Sequence, residues 1–208
     1  MFLRLVAIAT VVALTFVKIF PFSSQLFAAA GALAFTWLLG SRGIHSWFEV
    51  KDGWLTTVGW GVLGGLAVVA ADAATFSAYP LLGIAPMRLD RFADVHGHWG
   101  ELLEWLVVIW LLVGVTEELI SRAFLIDQWL EVLPTSRTST ALAILASSVT
   151  FSLVHYYEGL AGVISNFIAA LILGSLYALR RRTLGSNVIA HSFADSLGLV
   201  AIYFGWVS

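Results

Sequence analysis

The sequence has no cysteine, only four prolines in 208 residues, and little charge: 11 Lys and Arg against 13 Asp and Glu. Without thiols there is no cysteine nucleophile, thiolate zinc site, iron–sulfur cluster or disulfide scaffold. The near balance of charge, net −2, excludes a polyanion-binding surface and with it a nucleic-acid partner. Charged residues make up 12% of the chain and hydrophobic ones 60%, with mean hydropathy +0.91. A soluble domain averages about 25% charged and about 45–50% apolar. This much apolar surface belongs in a bilayer, and the same composition excludes disorder. At ~20 residues per span, the expected fold is an all-α polytopic transmembrane bundle of about seven helices. It forms a single integral membrane domain over residues 1–208.

Apolar runs broken by charge, Gly and Pro place the spans at 2–20, 22–39, 54–74, 101–131, 138–156, 159–179 and 187–206. The first is read as a retained span, because apolar sequence resumes at Phe22 directly after Pro21. In the third, Gly61, Gly64 and Gly65 form a small-residue face for close helix approach, and Asp72 is read as a residue that caps or flanks it. The polar stretch 75–100 reads as a loop, with room for a short surface helix, and His96-Gly97-His98 as solvated loop histidines. Ser165 and Asn166 are expected to hydrogen-bond between helices. Trp47, Trp54 and Trp99 suit the membrane interface.

With the N-terminus inside, the cytoplasmic side carries Arg4, Arg42, Lys51, Arg137, Arg180, Arg181 and Arg182, and the outer side Lys18, Arg88 and Arg91. This bias predicts a cytoplasmic N-terminus and an odd number of spans. The run Arg180–Arg182 also suits anionic headgroups.

Titratable residues inside spans are costly and therefore candidates for function. The fourth span holds Glu117-Glu118-Leu119-Ile120-Ser121-Arg122. Neighbouring helical residues differ by about 100°, so the two carboxylates point apart. Glu118 and Arg122, four apart, share a face in the favourable order for an ion pair. Glu117 is left without a sequence-local cation, which suits a general base. A salt-bridged knot that only fixes packing is the alternative. The fifth span ends in Phe151-Ser152-Leu153-Val154-His155, and the seventh carries His191-Ser192-Phe193-Ala194-Asp195. Three helices with inward titratable groups are hard to explain by packing alone.

In this order, Glu117-Glu118-x-x-x-Arg122, Phe151-x-x-x-His155 and His191-x-x-x-Asp195 resemble the three motifs of the CPBP family, the CAAX-protease and bacteriocin-processing intramembrane endopeptidases. The resemblance covers residues 101–200, about half the chain. It implies a peptidase with its active site inside the bundle. Glu117 and His155 would hold and deprotonate the water, His191 and Asp195 would face the oxyanion, and Glu118 and Arg122 would form the supporting ion pair. Two positions depart from the family pattern: Ser121 stands where an aromatic usually precedes the Arg, and Asp195 where Asn is commoner. Asp195 would serve either as a protonated donor or by accepting from His191 so that the ring's other nitrogen faces substrate.

The implied chemistry needs no cofactor. A zinc site of Glu117, His155 and His191 is the metal alternative, disfavoured by the adjacent Arg and by the absence of a His-Glu-x-x-His motif. A carrier or proton-relay protein and a non-catalytic scaffold are the other function classes; no inverted repeat supports a carrier. The expected partners are a peptide or membrane-associated protein substrate and the lipid bilayer, with oligomeric state open. The expected setting is a prokaryotic plasma membrane, with cleavage near its cytoplasmic side. One geometric demand remains. His155 lies roughly 25 Å along its helix while His191 lies near the start of its own, so a span must be tilted, unequal or partly re-entrant, with the segment 182–190 the candidate for an irregular dip.

Overall fold

The computed structural model describes residues 1–40 and 43–207; Arg42, one of the cations counted above, lies outside them. Helices occupy all seven expected spans: α1 (Phe2–Leu14), α2 (Ser23–Leu38), α4 (Trp54–Ala78), a long helical run over 99–132, α8 (Arg137–Val154), α9 (Gly159–Leu179) and α10 (Gly185–Tyr203). A short α3 (Ile44–Trp47) lies between α2 and α4. No strand occurs among the described residues.

Three segments, Trp54–Ala78, Arg137–Val154 and Tyr156–Leu179, are long and apolar enough to cross a membrane. Only 22–39% of each is buried inside the protein, which leaves most of their surface for lipid. Leu55, Leu63, Leu153 and Leu160 are among the large apolar side chains so exposed. The protein is a helical membrane bundle.

The ends of several elements differ from expectation. α1 stops at Leu14, about 20 Å long at 1.5 Å per residue, short of the ~30 Å hydrocarbon core. The Thr15 hydroxyl turns back onto Val12 O, and Ser23 Oγ accepts from the Ile19 and Phe20 amides to fix the turn before α2. α4 continues to Ala78, so Asp72 is not a cap or flank; it sits six residues inside the helix. The stretch 75–100 contains two 3-10 turns, Pro80–Leu82 and Asp90–Val95. Trp54 and Trp99 are exposed, but Trp47 is fully buried and donates from Nε1 to Asp127 at 3.0 Å.

The run 99–132 is α5 (Trp99–Val108), a π segment (Ile109–Val113), α6 (Gly114–Glu118), a second π segment (Leu119–Ile126) and α7 (Asp127–Val132). π turns widen the helix and cluster at functional sites. Here they flank the turn that bears both glutamates, where Gly114 lies so close to Ser192 of α10 that a Cβ would collide with its hydroxyl.

The small-residue face of α4 receives α10. A Cβ on Gly61 would stand 2.5 Å from Ile189, one on Gly64 3.1 Å from Ala190 Cβ, and one on Gly65 2.8 Å from Ala190 O. Ser186 Oγ donates to Thr57 O at 3.0 Å across the same interface. α10 is regular from Gly185 onward, so the expected dip in 182–190 is absent. The chain reverses instead in the tight turn before it, where Arg181 and Arg182 take φ of 57° and 59°. Nor is Arg180–Arg182 simply a headgroup site. Arg180 pairs with Asp52 at 2.9 Å and Arg182 with Asp127 at 3.3 Å, and both tie loops to the bundle.

Because α10 rests on these glycines, Gly65→Ala should cost about 1–3 kcal/mol through overpacking against backbone. Gly59→Ala is the control, since its Cβ meets nothing within 4 Å. It should leave stability unchanged or raise it by up to about 1 kcal/mol. Thermal unfolding in detergent measures both, and equal midpoints would show that α10 does not depend on this face.

Candidate active site

Glu118 holds the site together from behind. Its carboxylate is fully buried and takes partners from two helices. Arg122 Nη1, one turn on, lies 2.8 Å from Oε1, and His191 Nδ1 of α10 is also 2.8 Å from Oε1. Asn187 Nδ2 donates to Oε2 at 3.1 Å and to Leu173 O of α9 at 2.7 Å. A carboxylate paired with arginine only accepts, so His191 Nδ1 carries a hydrogen. The remaining nitrogen, Nε2, faces Glu117 Oε2 at 3.7 Å and Asp195 Oδ2 at 3.5 Å, both beyond hydrogen-bond range. The 100° between the two glutamates thus puts one carboxylate at each edge of a single imidazole.

α8 contributes Phe151 and His155. The Phe151 ring lies 4.8 Å from the Arg122 guanidinium carbon, a cation–π contact, 4.8 Å from the His155 ring and 6.0 Å from the His191 ring. Phe151 is the common platform for the three motifs, and it brings the two histidine helices together without the expected dip. His155 Nδ1 is 2.9 Å from Phe151 O; a carbonyl only accepts, so Nδ1 donates and Nε2 is left as an acceptor.

Glu117, His155, His191 and Asp195 line one cavity of about 420 Å³. Glu118 and Arg122 do not reach it. Most of the remaining wall is apolar, from Val68, Phe76, Trp105 and Leu173 among others, but Asp72, Glu158 and Asn166 also line it. Asn166 Nδ2 donates to Glu158 Oε2 at 2.8 Å and to Gly162 O of its own helix. Its bonding is therefore local, whereas Ser165 does bond between helices, 2.6 Å from Tyr79 OH. Arg91 closes the mouth, donating to Tyr157 OH at 3.0 Å with its guanidinium 5.1 Å from the rings of Phe92 and Trp105.

The cavity occupies the end of the bundle that carries Lys18, Arg88 and Arg91. Lys18 stands 4.9 Å over the Tyr157 ring, and the Arg88 amide donates to Glu158 O at 2.9 Å. The opposite end gathers Arg4 near Glu131, Arg180 near Asp52 and Arg182 near Asp127. The site is therefore not at the cation-rich end, where it was expected.

Among the described residues, no group of three or more His, Asp and Glu converges on a position for a metal ion. His191 has one nitrogen committed to Glu118, and His96, in the loop, is exposed with Nδ1 3.2 Å from Ile202 O.

Residues 99–197 match the family model described as type II CAAX prenyl endopeptidase Rce1-like. This segment is similar to the CAAX-protease family, and the match supports the chain's membership of it. The Rce1-like segment is 99 of 208 residues, a little under half the chain. It begins at the first residue of α5 and ends two residues after Asp195. Neither a curated protein nor a solved structure gives a significant match. At the level of the family, the match supports a CAAX-protease-like membrane endopeptidase with a peptide or protein substrate.

Sequence reasoning missed three contributors, Asn187, Asp72 and Glu158. Asn187 precedes His191 by four, as His191 precedes Asp195, so a single helical stripe carries all three; the spacing was visible but an Asn invited no notice. Asp72 was visible as an ionisable residue inside an apolar run, and it was set aside because the span was ended too early.

Arg122→Ala would leave Glu118 buried with no cation on its helix. The expected loss is about 3–5 kcal/mol, the usual result of breaking a buried pair from one side, seen as reduced accumulation and a lower unfolding midpoint. An Arg122→Ala protein of wild-type stability that lacks activity would instead assign Arg122 to the chemistry.

Proposed function

We propose that this Rce1-like protein hydrolyses peptide bonds with a water held by Glu117 and His155. The observation that carries the proposal is the division of labour around His191: Glu118 fixes its Nδ1 from behind, and Nε2 is turned toward the cavity wall that Glu117 and Asp195 share. Glu117 takes a proton from the water, helped by His155 Nε2, as hydroxide adds to the peptide carbonyl. His191, its Nδ1 committed to Glu118, presents Nε2 to the oxyanion. The proton held by Glu117 passes to the leaving nitrogen, and the C–N bond breaks. Preorganised donors of this kind are worth about 2.7–4 kcal/mol each.

The family match supports a membrane peptidase, and the shared cavity supports these four residues as its working groups. Asp195 adds a carboxylate beside Nε2 rather than orienting the ring, since Glu118 already does that. This favours a role for Asp195 on the oxyanion side of the cavity over the ring-orienting one. Glu117→Gln keeps the side chain's shape but cannot accept a proton, and activity should fall at least ~10²-fold, as should that of His155→Ala. Asp195→Asn supplies a permanent donor and should retain at least roughly a tenth of wild-type activity, a barrier change within ~1.4 kcal/mol; Asp195→Ala should lose more. Cleavage assays with purified protein decide. Normal turnover by Glu117→Gln would sink the glutamate mechanism, and equal damage from Asn and Ala would make the negative charge of Asp195 the required feature.

We also propose that the protein resides in a prokaryotic plasma membrane with its cation-rich end, and hence its N-terminus, in the cytoplasm. The cavity then opens on the opposite face. The chain has no cysteine, so single substitutions report cleanly. Asp94→Cys should react with an impermeant maleimide on intact cells, and Glu49→Cys only after permeabilisation. The reverse pattern would turn the site toward the cytoplasm and overturn this orientation while leaving the chemistry untouched.

A further inference from the structure

Glu117 and His155 are reached from two sides. One is the large cavity. The other is a slot of about 40 Å³ on the α1–α2 side, lined by Thr15, Ser24, Gln25, Ser121 and Thr150 as well as by Glu117, Phe151 and His155. Neither His191 nor Asp195 lines it. The slot therefore touches the two groups assigned to the water and neither of the two assigned to the oxyanion.

Its size suits water alone, although Ile120, Leu125 and Val154 make most of its wall apolar and the polar groups stand at its edges. A single water needs at least ~10–15 Å³ of such space and two to four polar partners, whereas pockets for small molecules run to about 300–1,000 Å³. Thr15 and Thr150 donate their hydroxyl hydrogens to their own helices, at Val12 O and Ala146 O, and so keep lone pairs with which to accept. Ser24 Oγ donates to Gln25 Oε1 at 2.9 Å, which leaves the Gln25 amide nitrogen as a donor. A peptide lying in the cavity covers the other approach to Glu117 and His155, so a consumed water needs a separate route for its replacement.

We propose that the slot is the entry and binding site of the hydrolytic water, supplying Glu117 and His155 from the α1–α2 side while peptide fills the cavity. Gln25 lines both openings and marks where they meet. The inference rests on the catalytic roles given above to Glu117 and His155. Its walls on α1 and α2 lie outside residues 99–197, so the family match does not account for them.

Thr150→Leu fills the slot, and Thr150→Val removes the hydroxyl at nearly constant shape. The expected result is a kcat at least tenfold lower for Thr150→Leu, about 1.4 kcal/mol of barrier, with KM within about twofold. Thr150→Val should show a smaller loss. Peptide affinity, measured in a Glu117→Gln background to prevent turnover, should be the same with and without Thr150→Leu. Gln25→Leu, at a half-buried position, gives the same contrast if Thr150→Leu fails to accumulate. Wild-type kcat in both leucine variants overturns the proposal, as does a fall in peptide affinity parallel to kcat, which would make the slot part of the substrate's path. If Glu117→Gln itself turns over normally, the catalytic reading fails first, and that result is separable from any effect at Thr150.

Discussion

The Glu118 carboxylate is the constraint on which the rest of the site depends. An ion taken out of water costs several kcal/mol even after relaxation, and one partner alone seldom offsets this. Glu118 has three, from Arg122, His191 and Asn187, and each also fixes something else. Arg122 lies over Phe151 and so places α8. His191 is held in one ring orientation. Asn187 reaches on to Leu173 O, so α9 is fastened to α10 at the same level. A single buried charge therefore specifies how four helical segments meet. Apolar packing alone would allow those segments to slide against one another.

Much of this arrangement was legible because helical spacing converts directly into faces. Glu118 and Arg122 are four apart, and their ion pair needs no tertiary information. Gly61, Gly64 and Gly65 announce a close helix contact, and only the identity of the partner, α10, waits for the structure. What could not be read depends on contacts between distant segments. The role of Phe151 exists only once Arg122, His155 and His191 surround it. The π segments on either side of Gly114–Glu118 leave no mark in the pattern of apolar residues. The dip placed at 182–190 answered a mismatch in depth between His155 and His191, for which a tilted or unequal span was the other reading. The two Arg residues at positive φ provide the reversal with irregular backbone before α10 rather than inside it.

The cations also divide in a way that composition hides. Arg180, Arg181 and Arg182 form one run, yet Arg180 and Arg181 both face Asp52 while Arg182 turns to Asp127. Asp127 is buried and also accepts from Trp47 and, at 3.3 Å, from Tyr177. This second polar knot joins the end of the long helical run to α3, α9 and the turn before α10. Like the Glu118 knot, it is satisfied from several elements, so it fixes geometry at the end of the bundle remote from the cavity. Charge in this protein does two separate jobs at two ends, and only one of them lies near a cavity.

The adjacent glutamates show why a membrane peptidase benefits from two carboxylates in a row. If one carboxylate had both to hold His191 and to take a proton, each protonation would loosen the ring that must meet the oxyanion. Splitting the tasks removes that conflict. Glu118, held by three partners and out of reach of the cavity, is placed to keep its geometry through the proposed reaction. Glu117, on the cavity wall and 3.7 Å from the nearest imidazole nitrogen, makes no hydrogen bond that a proton would break. The helix enforces the split, because a step of about 100° cannot present both side chains to one surface. Gly114 and the flanking π turns bring that step up against α10. The carboxylate proposed to react is thus defined less by its own surroundings than by its neighbour, which has already taken Arg122, His191 and Asn187.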